Sequence, residues 1–157
     1  MSNSFQIVGI DHVPFQDLFD LTDEQLAQRA MKRYFAEEHP GFPCRISLED
    51  AQVGEEMLLL SNAHQPATSP YRASGPIFIK RGVEQRKLSL GEVPSYVTKR
   101  LMSVRAYDSK DNIVEASVCD GIAVGDELTK YFRSSDVAYI HLHNAKRGCF
   151  SCQVNRA

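Results

Sequence analysis

Hydrophobic and polar positions alternate with a period of two through most of this chain, and one stretch near its start keeps a helical period instead. The clearest alternation lies in residues 137–154. Ala138, Ile140 and Leu142 fall on one side of a first strand, and Tyr139, His141 and His143 on the other. After a turn-like Asn144-Ala145-Lys146-Arg147-Gly148, Phe150, Cys152 and Val154 alternate with Cys149, Ser151 and Gln153. Runs of this kind predict half-buried strands. A slip of one residue would move every side chain to the other face, so pairing apolar with apolar selects the register. That register sets Leu142 against Phe150 and Ile140 against Cys152. It places His143 beside Cys149 and His141 beside Ser151, so that two imidazoles and a thiol converge on a polar face. A second hairpin is predicted over residues 101–119, with Met102, Val104 and Ala106 opposing Val114, Ala116 and Val118. There Arg105 stands across from Glu115 as an opposite-charge pair.

The helical stretch begins at Thr22. Thr22 and Gln25 match a capping box, and Leu21 with Leu26 a hydrophobic staple. Leu26, Ala27, Ala30, Met31, Tyr34 and Phe35 then share one stripe, which predicts a long amphipathic helix stopped by His39-Pro40-Gly41. Shorter strands are predicted at 5–10, 43–47, 57–60 and 77–80, a turn at Val53-Gly54-Glu55, a helical turn after Pro94, and a short helix at 126–133 that buries Leu128, Tyr131 and Phe132. Residues 61–76 show no apolar period and hold Pro66, Pro70 and Pro76. They read as a pre-stiffened, ordered loop that carries His64, Tyr71 and Arg72 as a binding lid. The fold this gives is α+β: an antiparallel, meander-like sheet with one long N-terminal helix and one short C-terminal helix packed on one face. Residues 1–157 are read as a single domain.

Charge narrows the functional classes. Lys and Arg number 18 against 20 for Asp and Glu, a net charge of -2. That balance argues against nucleic acid as a partner, since such binders carry a basic stripe. Met1-Ser2-Asn3-Ser4-Phe5 has neither the basic nor the apolar region of a signal peptide, and the aliphatic run at 57–60 is too short to span a membrane. With the four cysteines read as reduced thiols, a cytoplasmic location is expected, with no membrane partner.

Cys149-x-x-Cys152 lies in a strand, where residues three apart point to opposite faces, so neither a disulfide nor a redox motif is expected. His141-x-His143 is a chelating pair in form; Cys149 or His64 would supply a third ligand. The same residues suit nucleophilic catalysis, with Cys149 as the thiol and His143 as the group that stabilises its thiolate. No metal is assigned. A P-loop, a Gly-x-Gly fingerprint and a nucleophile elbow are absent, and no cofactor is named.

The strings C-R-I-S-L from Cys44, H-Q-P-A-T-S-P-Y-R-A-S-G-P-I-F from His64, S-V-R-A-Y-D from Ser103 and I-H-L-H-N-A-K-R-G-C from Ile140 resemble the bacterial family called domain of unknown function 1203. The resemblance covers nearly the whole chain from Cys44 on. It implies a bacterial single-domain protein and brings no activity, substrate or cofactor. From the residues themselves, Arg45, His64, Tyr71, Arg72 and His141 are expected to bind a small anionic molecule in a cleft between residues 61–76 and the polar sheet face. The alternatives are an interaction module or homodimer that uses the same face, and a Cys/His or metal-dependent enzyme.

Overall fold

The computed structural model describes residues 4–157. The strands in chain order are β1 (Phe5–Val8), β2 (Lys32–Phe35), β3 (Pro43–Cys44), β4 (Glu49–Asp50), β5 (Glu56–Gln65), β6 (Ala73–Lys80), β7 (Leu101–Tyr107), β8 (Ile113–Asp120), β9 (Tyr139–Asn144) and β10 (Phe150–Arg156). The helices are α1 (Asp23–Gln28), α2 (Ser95–Thr98) and α3 (Val124–Phe132). The strands form two five-stranded sheets, ordered β1-β10-β9-β7-β8 and β2-β5-β6-β3-β4. This corrects the expected α+β meander. The architecture is mainly β, the sheets are two, and the parallel pairing of β3 with β6 at Cys44 and Phe78 breaks the antiparallel rule.

The long N-terminal helix does not exist. Its start is as expected: the Gln25 N–H donates to Thr22 Oγ1 at 3.1 Å and the Thr22 N–H to Gln25 Oε1 at 2.9 Å. Its end comes after two turns, where Ala30 adopts a left-handed φ of 57°. The Met31 N–H reaches back to Leu26 O at 2.9 Å and the Ala30 N–H to Ala27 O at 3.0 Å. These are the paired bonds of a Schellman stop, a place usually marked by glycine. Beyond it, residues 32–35 pair with β5, Lys32 opposite Leu59 and Phe35 opposite Glu56. Arg33 secures that pairing from both sides, donating to Leu21 O, Asp23 Oδ1 and Glu56 Oε2. Tertiary strand pairing thus overrides a helical stripe.

Residues 61–76 are ordered, but most of them are strand. β5 runs on to Gln65, β6 begins at Ala73, and Asn62 opposes Gly75. Only Pro66 to Arg72 turn between them. Pro76 sits in β6 opposite Ser61, and β3 meets β6 only at Phe78. The proline's missing N–H therefore faces an open side, where it removes no ladder bond.

Two cores result. The first sheet buries Met102, Val104, Ala106, Ile140, Leu142 and Val154 against Tyr96 and Val97 of α2 and Leu128, Tyr131 and Phe132 of α3. The second buries Met57, Leu58, Leu60, Ile77 and Ile79 beneath Phe19 and Leu26. The other face of β9, β10 and β7 meets the far end of β5. Among the described residues no helix is long and apolar enough to cross a membrane; residues 1–3, on which the reading of the N-terminus partly rested, lie outside them.

The first sheet is tied to the segment after β3 at Gly9. The Gly9 N–H donates to Arg86 O at 2.7 Å and the Ile10 N–H to Arg45 O at 3.0 Å. A Cβ on Gly9 would fall on the carbonyl oxygen of Ile46. Gly9→Val is expected to destabilise the protein by about 3 kcal/mol through forced backbone separation, read as a lowered midpoint in urea unfolding.

Candidate functional site

The histidine face is shaped by a β-bulge. Phe150 opposes His143, but Cys152 opposes Leu142, Gln153 opposes His141 and Val154 opposes Ile140. Ser151 is the extra residue, and such an insertion shifts the register without breaking the sheet. This corrects the expected pairing of Leu142 with Phe150 and of His143 with Cys149. Cys152 and Val154 still pair apolar to apolar, while Phe150 turns over to the histidine side. Side chains take both carbonyls of the bulge: Arg45 Nε donates to Phe150 O at 2.8 Å, and the Tyr96 hydroxyl to Ser151 O at 3.1 Å.

A second bulge alters the other hairpin. Tyr107 opposes Ile113, Ala106 opposes Glu115, and Arg105 opposes Ala116. Arg105 is therefore not the cross-strand partner of Glu115. It shares the histidine face, next to His141 on β9, donating from Nε to Ser103 Oγ at 3.2 Å and from Nη1 to His143 Nε2 at 3.4 Å. Neither partner is acidic.

Three imidazoles collect around this guanidinium. His64, near the end of β5, lies with its ring centroid 5.0 Å from His143 and 6.4 Å from His141. The Phe150 ring stacks on His64 at 5.2 Å and 9° and presents itself edgewise to His141 and His143. Tyr107 and Tyr139 continue the layer, stacked at 5.0 Å. The Tyr139 hydroxyl donates to Asp111 Oδ1 at 2.6 Å and accepts from Gln65 Nε2 at 2.9 Å.

The tautomers follow from the partners. His143 Nδ1–H donates to Gly148 O at 2.9 Å, which leaves Nε2 to accept from Arg105. His141 Nε2–H points to Gln153 Oε1 at 3.3 Å. His141 Nδ1 and His64 Nδ1 are buried without a protein partner. Burial is the main force on all three rings, and Arg105 adds to it. The His141 pKa falls to about 4 and that of His143 to about 3, while His64 is lowered less. At neutral pH the cluster is a set of neutral imidazoles beside one cation. No group of three or more His, Cys, Asp or Glu among the described residues is arranged to hold a metal ion.

On the far side of the bulge a groove of ≈ 870 Å³ opens between the two sheets. Tyr34, Phe42, Leu59, Pro76 and Phe78 form one wall. Lys99 and Arg100, with Asn144, Lys146, Arg147 and Cys149 of the β9–β10 turn, form the other. Arg45 is its most buried cation, at 3 % exposure. Arg45 Nη1 donates to Pro43 O at 2.6 Å, so both of its hydrogen bonds go to neutral carbonyls. Arg100 differs, because Asp50 takes it in a two-point pair, Nη1 to Oδ2 at 3.0 Å. Glu38 is the one carboxylate in the lining.

The expected site residues thus divide. His64, His141 and His143 meet, and Tyr71 touches the same layer through Tyr107 at 6.3 Å. Arg45 and Cys149 belong to the groove. Arg72 is exposed and joins neither the rings nor the groove lining. His143 gives both ring nitrogens to Gly148 and Arg105, so it makes no bond to the Cys149 thiol. Sequence reasoning missed Arg105, Phe150, Lys99, Lys146 and Arg147. Arg105 and Phe150 were hidden by the bulges; the Lys-Arg pair in a Gly-ended turn was a readable signal of a cationic rim.

Residues 41–156 match the model of the family described as protein of unknown function (DUF1203), and the chain belongs to that family. No curated protein and no solved structure matches the chain.

The neutral histidines make stability depend on pH. Their folded pKa values lie below the unfolded value of about 6.5, so below that pH the unfolded chain binds protons the folded one refuses. Stability is complete above pH 6.5 and falls through the window from 6.5 to about 4 for His141 and about 3 for His143. The slope is about 1.4 kcal/mol per pH unit for each ring. Urea unfolding at pH 7.5 and 5.5 is expected to show this loss, and His141→Gln to flatten it.

Proposed function

We propose that this protein binds a small anionic molecule in the groove between the two sheets, with Arg45 as the central anchor and Lys146, Arg147 and Lys99 at the rim. The observation that carries this reading is the state of Arg45. This guanidinium is 3 % exposed, and its hydrogen bonds go to carbonyl oxygens with no carboxylate among them. An unpaired buried charge costs several kcal/mol, and an anion in the groove offsets that cost. The site differs from the cleft expected over the histidines, because β5 and Phe150 cover that face.

Cys149 is the thiol of the groove lining. A catalytic role for it requires a base other than His143, whose nitrogens are engaged elsewhere.

A second reading, an interaction module, draws support from β8. This edge strand leaves Val114 and Val118 exposed, and an open edge can pair with another chain. Self-association under that reading would appear in sedimentation equilibrium and vanish in Val118→Lys.

The anion reading is tested by thermal unfolding in inorganic phosphate at constant ionic strength. The midpoint is expected to rise, with a gain of about 2.7 kcal/mol at a phosphate concentration 100-fold above Kd. Arg45→Met is expected to abolish the rise. Lys146→Glu combined with Arg147→Glu should weaken binding about tenfold while leaving the unliganded midpoint unchanged. A full phosphate response in Arg45→Met would remove the basis for the proposal.

A further inference from the structure

The two walls of the groove differ in chemistry, and the difference speaks to the ligand. The wall from the second sheet carries three aromatic rings in mutual contact. Phe42 and Phe78 lie 5.1 Å apart at 52°, Tyr34 and Phe78 5.6 Å apart at 84°, and Tyr34 and Phe42 6.3 Å apart at 54°. All three are partly exposed rather than sealed in the core, and they open onto the groove. Arg45, which follows β3 and donates its backbone N–H to Phe78 O at 3.1 Å, stands beside them in the lining, and the facing β9–β10 turn carries Lys146 and Arg147. Leu101 at the mouth is 42 % exposed.

An inorganic anion alone would use only the cationic side chains. It would leave the aromatic wall wet and most of the ≈ 870 Å³ empty. That volume lies in the range of about 300–1,000 Å³ typical of sites for drug-sized organic ligands. Aromatic side chains left accessible in a cleft offer stacking surface, which is tolerant of the identity of the ring it receives.

From this division of the walls we infer that the ligand is a two-ended molecule, a planar aromatic or heteroaromatic ring joined to a phosphate or similar acidic group. The ring lies against Tyr34, Phe42 and Phe78, and the acid lies on Arg45 with Lys146 and Arg147. The inference rests on the anion-binding reading above and adds the ring to it. The acidic end alone accounts for the cationic groups. The ring accounts for the part of the aromatic surface that stays open to the groove, where Phe42 and Phe78 pack on the second core and Lys32 lies over Tyr34 at 4.9 Å.

Isothermal titration of the full chain with four probes tests it: inorganic phosphate, glucose 6-phosphate, phenyl phosphate and adenosine 5′-monophosphate. Phenyl phosphate and adenosine 5′-monophosphate are expected to bind at least about tenfold tighter than glucose 6-phosphate, a gap of about 1.4 kcal/mol. The order between the two aromatic probes then separates a simple aryl ligand from a nucleotide, and either order supports the inference. Phe42→Leu, which keeps apolar surface but removes one ring, is expected to narrow the gap severalfold and leave the affinity for inorganic phosphate unchanged. Equal affinity for glucose 6-phosphate and phenyl phosphate would overturn the aromatic end and leave the anion site standing. Failure of every probe to bind would overturn both.

Discussion

The bond from Arg45 Nε to the carbonyl of Phe150 is the point on which the two sheets and both features of the site turn. Arg45 follows the short strand β3 of the second sheet, and Phe150 opens β10 of the first. Their 2.8 Å bond holds one carbonyl of the bulge, as the Tyr96 hydroxyl holds the next. With the bulge in place, the Phe150 ring lies among three histidines on one side. On the other side Arg45 itself lines the groove. A single buried cation thus serves as an intersheet brace and as the anchor of the proposed anion site. Hydrogen bonds alone do not neutralise it, which is why its role as a brace leaves its electrostatic demand unmet.

Much of the strand content was legible. Phe5 to Val8, the runs around Val104 and Ile140, the cap at Thr22 and the burial of Leu128, Tyr131 and Phe132 all follow from periodicity and local chemistry. Three kinds of feature were not legible, each for a physical reason. A bulge inserts one residue into a period-two pattern, and nothing in Phe150-Ser151-Cys152 or Ile113-Val114-Glu115 marks the insertion. The stop at Ala30 uses a left-handed alanine where glycine would have announced it. The β5–β6 hairpin carries polar residues past Ser61 because its end packs on imidazoles and tyrosines rather than on aliphatic core.

The grouping of the candidate side chains was legible only in part. His141 and His143 were expected on one face because residues two apart in a strand must share it, and His64 does come over them. Arg45, expected as a ligand residue, makes its hydrogen bonds to the carbonyls of Phe150 and Pro43. Cys149 and His143 were joined only by a register that the bulge at Ser151 undoes. Arg105 was assigned to Glu115 by the same kind of slip, and its arrival among the histidines explains their low pKa values together with burial. Errors of one residue in register therefore account for most of the redistribution of side chains between faces.

Gly9 lies far in sequence from every group discussed as a ligand contact, yet it touches the backbone on either side of Arg45's own carbonyl. Its place in a survey of random mutations follows from this. Substitutions there would shift the segment that carries the anchoring guanidinium, and loss of binding would score at Gly9 as strongly as at the groove itself. A map of functional positions built from phenotype alone would then draw a binding residue where there is only a missing side chain. Drift at this position in a natural lineage would have to wait for a compensating change near Ile46, which ties the histories of two positions that share no side-chain contact.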